Sequence, residues 1–144
     1  MERYTNSAQE TEALGQELVQ KMSPGTVIAF SGDLGAGKTA FVRGMAQGLE
    51  LDCRVSSPTF TIVNEYKAAK GFPVYHFDFY RINKITEAYD IGIDEYFSGD
   101  GLCLIEWPEK IQEILPDDCF QVFVYVDEEG NRTIEIDDNQ PQLD

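Results

Sequence analysis

Basic residues are scarce in this chain: 11 Lys and Arg stand against 26 Asp and Glu, a formal net charge of −15. A surface of that sign cannot grip a nucleic-acid backbone alone, because such contacts are built from neutralising cations. The acid either solvates the chain or forms a docking face for a basic partner. Its five arginines, Arg3, Arg43, Arg54, Arg81 and Arg132, are not clustered. Cysteine is equally sparse. Cys53, Cys103 and Cys119 are odd in number and form no C-x-x-C pair, so neither a disulfide framework nor a zinc site is indicated. Reduced thiols in a cytoplasmic protein fit best. No apolar run approaches the 18 or so residues of a membrane span, and Met1-Glu2-Arg3-Tyr4-Thr5 does not open a signal sequence. We therefore expect neither secretion nor membrane insertion.

What the chain does contain is a glycine loop in a telling place. Ser31-Gly32-Asp33-Leu34-Gly35-Ala36-Gly37-Lys38-Thr39 satisfies G-x-x-x-x-G-K-[ST]. The apolar run Val27-Ile28-Ala29-Phe30 precedes it, and Phe41, Met45 and Leu49 follow on one helix face. A loop between a buried strand and a helix can hold phosphate oxygens on backbone N–H groups, at the positive end of the helix dipole. Gly32, Gly35 and Gly37 leave no Cβ in the way. Lys38 adds a mobile positive charge for the β- and γ-phosphates, and the Thr39 hydroxyl is placed to ligate Mg²⁺. Asp33, Leu34, Ala36 and Ala40 complete the expected cradle.

The rest of the chain reads as one α/β domain over residues 1–136, with an acidic, frayed tail at 137–144. Ser7-Ala8-Gln9-Glu10 has the form of a capping box, and Leu14, Leu18 and Met22 recur at helical spacing. Gly44 and Gly48 lie inside the helix after the loop, where close packing against the sheet is the expected reason. Phe60–Tyr66 and Val74–Tyr80 read as strands, too close in sequence for a crossover helix and so paired antiparallel. One or two short helices interrupted at Gly92 follow, over 85–97. Leu102-Cys103-Leu104-Ile105 is a buried central strand ending in Glu106. Trp107-Pro108 leads into a short helix through Ile111 and Leu115. Phe120–Val126 and Arg132–Ile136 form a hairpin. The expected architecture is a P-loop NTPase-type mixed sheet, parallel at its centre and antiparallel at its edges, flanked by helices.

A phosphate loop needs an acidic partner at the tip of a neighbouring strand to hold Mg²⁺ directly or through water. Glu106 fits, with Asp78 as a second candidate at the metal or the attacking water. A salt bridge to Arg81 is the structural alternative for Asp78. Thr59 and Thr61 lie in a Ser/Pro/Thr segment suited to a switch that senses γ-phosphate, although ordinary strand threonines read almost as well. His76, the only histidine, reads as a packed, hydrogen-bonded residue. Trp107 stands where a catalytic Glu often follows the metal acid, so intrinsic hydrolysis should be slow and a partner should complete the site. Asn83-Lys84-Ile85-Thr86 ends in Thr where a guanine-reading motif ends in Asp, which favours ATP.

Four segments in order resemble the TsaE family of small bacterial P-loop ATPases. They are Gly32 to Thr39, Ser57-Pro58-Thr59-Phe60-Thr61, His76-Phe77-Asp78-Phe79-Tyr80-Arg81 and Ile105-Glu106-Trp107-Pro108-Glu109. The resemblance spans roughly Ser7 to Val126. It implies an ATP- and Mg²⁺-dependent ATPase that works with the TsaD and TsaB proteins on adenosine 37 of certain tRNAs. The group transfer belongs to those partners, and tRNA contact is indirect. Carried over, Lys38 and Thr39 bind phosphate and Mg²⁺, and Glu106 is the metal acid. Asp78 acts at the metal or water, and Thr59 and Thr61 form the switch. Trp107 sits near the nucleotide, and the segment from Asn6 to Thr11 approaches the adenine. A small-molecule or nucleoside kinase shares the loop and the size, but its water-excluding lid is usually rich in arginine. A GTP-dependent switch is disfavoured by the missing guanine motif.

Overall fold

A computed structural model describes residues 2–32, 36–51 and 62–138, with the side chains of all but 36–39 and 138. The first half of the chain gives β1 (Glu2–Thr5), α1 (Ala8–Val19), β2 (Val27–Gly32), α2 (Ala36–Leu49), β3 (Val63–Lys67) and β4 (Pro73–Asp78). The second gives α3 (Thr86–Asp90), α4 (Ile93–Ser98), β5 (Leu102–Glu106), a 3-10 segment (Pro108–Ile114), β6 (Phe120–Val126) and β7 (Arg132–Asp138).

One seven-stranded sheet runs in the order β1-β7-β6-β2-β5-β4-β3. β6, β2, β5 and β4 are mutually parallel, while β3 joins β4, and β7 joins β6, antiparallel. This is the mixed sheet expected from the sequence. β2 holds its middle because Val27, Ile28, Ala29 and Phe30 are all buried and alternate between two apolar clusters. A continuous apolar run of this kind is what a strand covered on both faces requires. On one face α1 and α2 pack over Ile28, Phe30, Leu104, Val122 and Ile134. On the other, Ile93 of α4 and Ile111 of the 3-10 segment cover Ala29, Phe77, Cys103 and Ile105.

Three local readings are corrected. β1 was not expected: Glu-Arg-Tyr-Thr carries no apolar alternation, and the strand exists because β7 offers it a partner, from Glu2↔Glu135 to Thr5↔Arg132. β7 continues past Ile136, where the tail was expected to begin, with Asp137 opposite Gln121 and Asp138 opposite Phe120. Gly44 and Gly48 pack against α1 and not against the sheet. A Cβ on Gly44 would lie 2.0 Å from the Glu12 carbonyl oxygen, and one on Gly48 would lie 2.5 Å from the Val19 side chain. From α1, Gly15 answers them, its missing Cβ 2.5 Å from the Phe41 carbonyl. Glu12 faces Gly44 and Gln16 faces Gly48, so the two helices run in the same direction with backbones nearly touching.

The α1 capping box forms, with one change. Ser7 Oγ accepts from the Glu10 amide at 3.1 Å, but Glu10 Oε1 reaches past the cap to the Asn6 amide at 3.0 Å. Gly92 takes a left-handed conformation (φ 79) between α3 and α4, the predicted interruption. Of the predicted strand Phe60–Tyr66, positions 60 and 61 lie outside the described residues, Ile62 is a bend, and the strand runs from Val63 on to Lys67.

Candidate functional site

Parallel strands in such sheets end at one edge, and ligands of open α/β sheets bind beyond those carboxyl ends. Here β2 ends in Gly32, β5 in Glu106 and β4 in Asp78. In register Phe30 lies opposite Glu106, and Glu106 lies opposite Asp78. Alternation sends Glu106 to the face of Leu102 and Leu104, and Asp78 to the face of Val74, the side that α1 and α2 cover. Sequence reasoning named both carboxylates, and the sheet makes them neighbours.

Gly32 is fixed by geometry. Its φ is 126, and a Cβ there would meet the Val124 carbonyl oxygen of β6 at 2.0 Å. Only glycine can end β2 in this way and lead into the loop. α2 begins at Ala36, so the backbone of Ala36, Gly37, Lys38, Thr39 and Ala40 forms its first turn. Asp33, Leu34, Gly35, Thr59 and Thr61 lie outside the described residues, as do the side chains of Lys38 and Thr39. Because α1 and α2 run in parallel, both present their N-terminal, electropositive ends at this edge.

Asp78 Oδ1 accepts from the Tyr80 amide at 3.0 Å, a turn that ends β4 and aims the chain away from the edge. Phe79 donates its amide to the Glu106 carbonyl, tying the two tips together. Trp107 then takes a left-handed backbone (φ 60, ψ 50), rare for a large side chain. Its ring meets Tyr80 at 4.9 Å between centroids, while Tyr80 stays mostly exposed. Thr11 is fully buried, its hydroxyl 2.7 Å from that of Thr5 and 3.0 Å from the Ser7 carbonyl it donates to. It ties α1 to β1.

The residue whose partner sequence reasoning missed is His76. It is 2 % exposed, and its Nε2 lies 2.6 Å from Glu106 Oε2. The pairing is diagonal across two strands, since His76 stands opposite Leu104 and Glu106 opposite Asp78. Its burial was legible; its partner depended on register.

Together these features define a class: a small α/β protein with a glycine-tipped central strand and paired carboxylates at the carboxyl edge of its sheet. The family model for "Threonylcarbamoyl adenosine biosynthesis protein TsaE" matches residues 5–134. The Bacillus subtilis protein named for tRNA threonylcarbamoyladenosine biosynthesis, TsaE, is 44% identical over 120 residues, 83% of this chain and 74% of its own. The Treponema pallidum protein of the same name is 36% identical over 136 residues, 94% of this chain and 99% of its own. A solved crystal structure, Bacillus subtilis YdiB, superposes with a TM-score of 0.78 at 36% identity, covering 96% of this chain and 85% of that one. This chain belongs to the TsaE family.

Proposed function

We propose that this protein is a Mg²⁺-dependent ATPase of tRNA threonylcarbamoyladenosine biosynthesis, slow alone and completed by TsaD and TsaB. It serves the modification of adenosine 37 without transferring the group itself. The observation that carries the reading is the convergence of Gly32, Glu106 and Asp78 at one sheet edge, beside the N-terminus of α2. Family membership supports the pathway, which the relatives' names give.

In this reading the amides from Gly32 to Ala40 cradle the phosphates, and Lys38 offsets charge on the β- and γ-groups. Thr39 and Glu106 hold the magnesium, and Asp78 holds the metal or the attacking water. An all-oxygen donor set is what magnesium takes. When bound, the cation polarises the phosphoryl oxygens. Thr59 and Thr61 form the switch, and Trp107 with Tyr80 supplies an aromatic wall beside the nucleotide. Thr11 acts by holding the Asn6-to-Thr11 segment in place, since its own hydroxyl is already bonded internally. No general base is available from Trp107, which accounts for slow turnover alone. A net charge of −15 suits indirect contact with tRNA through the partners.

The test is phosphate release from ATP at matched Mg²⁺, alone and with TsaD and TsaB. Slow release that rises on addition of the pair is expected. A flat response overturns the partner-dependent reading, and phosphate appearing on a nucleoside or small-molecule acceptor would favour a kinase.

A further inference from the structure

His76 is a histidine placed where the core has no need of one. It is nearly sealed from solvent, on the α1/α2 face of β4 between Val74 and Asp78. Its Nε2 lies 2.6 Å from Glu106 Oε2, and its Nδ1, also buried, has no hydrogen-bond partner among the described residues. A buried polar atom is costly when it is a donor left unmade. The arrangement that leaves no orphaned N–H puts the proton on Nε2, donating to the carboxylate, and leaves Nδ1 as a bare lone pair. Leu or Val would fill the same volume without that residual cost. The one described hydrogen-bond partner of the imidazole is Glu106.

We propose that His76 is the positioning residue of Glu106. Through Nε2–H it engages Oε2, fixes the carboxylate rotamer at the tip of β5, and leaves Oε1 as the oxygen that would be available to magnesium. The proposal rests on the Mg²⁺-ATP reading of this edge. The sheet explains why the contact is rigid. Both residues are anchored in neighbouring parallel strands with fixed register, and Phe79 and Glu106 are tied by a backbone bond at the same place. Groups that hold a metal's ligand in this manner typically change metal affinity or activity by about 10–100-fold when removed.

His76 and Trp107 are the only residues of their types, so each gives one assignable signal. The imidazole of the wild-type protein should show the Nε2–H tautomer in nitrogen NMR, with a slowly exchanging proton that is lost in Glu106→Ala. An Nδ1–H tautomer overturns the proposal without any variant at His76. The second arm titrates Mg²⁺ into protein with bound ATP, reading Trp107 fluorescence, and measures turnover in parallel. His76→Leu, which keeps bulk and removes the donor, should raise the Mg²⁺ midpoint and lower kcat by about tenfold or more, with KM for ATP within about twofold. His76→Gln, whose amide nitrogen can reach the same place, should restore most of both while leaving the thermal midpoint near that of His76→Leu. Equal losses in the two variants, or none in His76→Leu, overturn the positioning role. A wild-type protein with no Mg²⁺ response overturns the magnesium reading and this proposal with it. A wild-type response unchanged in His76→Leu overturns this proposal alone.

Discussion

Gly32 and Glu106 are the two residues on which the edge depends, and their sensitivities differ in cause. A methyl group at Gly32 would meet a β6 carbonyl at 2.0 Å, and backbone cannot step aside as a side chain can. Gly32→Ala should therefore lose about 1–3 kcal/mol in urea unfolding as well as nucleotide binding. Glu106→Ala removes a side chain only 15 % exposed and leaves buried His76 without its partner, so it should cost about 1–3 kcal/mol in urea unfolding and reduce Mg²⁺-dependent phosphate release; normal release would remove it from the metal. Burial pushes the Cys103 thiol up to about 12 and the Cys119 thiol up to about 11, the latter helped by Asp118 and Asp137. In a Cys53→Ser background a disulfide reagent should find neither thiol until denaturant is added, and rapid labelling of the folded protein would contradict their placement. The acids at strand ends were legible because each follows a hydrophobic run and precedes a break. The His76–Glu106 contact was not, because it joins positions 30 residues apart that only the register brings together.

At the scale of elements the parallel centre, the interruption at Gly92 and the terminal hairpin were legible, each from a local pattern of apolar spacing or a glycine. β1 was not legible, since a strand of mixed polar residues is stabilised by its neighbour and not by its own composition. The glycines of α2 were noticed and matched to the wrong partner, because composition tells that something comes close but not which element does. Gly44→Ala separates the two influences. Helix propensity alone predicts a gain of about 1 kcal/mol. The Cβ would sit 2.0 Å from the Glu12 carbonyl, so the clash wins and a net loss of about 1–3 kcal/mol is expected by urea unfolding. The same change at Gly71, where a Cβ would meet nothing but φ is 102, should also destabilise, through backbone strain alone.

For the whole molecule, charge and burial set the response to solvent. At −15 the folded chain repels itself, so added salt up to about 0.3 M should raise the thermal midpoint by screening. Alkali should act in the opposite direction. Cys103 and Cys119 ionise near their ordinary value of 9.0 when unfolded and near 12 and 11 when folded. Tyr75 is likewise raised above its ordinary range, chiefly by burial. The folded state therefore holds more protons above pH 9, and stability present below that pH falls as pH rises through the window. Melting curves from about pH 8 to about pH 11 should shift steadily downward, and a flat series would contradict the burial of the thiols. The contact between α1 and α2 carries one more consequence. Where main chain rests on main chain, no flexible side group lies between to absorb a nudge. A tilt that an occupant imposed on the first turn of α2 would reach α1 most directly through the backbone contacts of Gly15 and Gly44, and then β1 through the Thr5–Thr11 hydroxyl pair. The far rim of the sheet would then report mechanically on what fills the loop, and slower amide exchange along β1 on addition of ATP is how that message would be read.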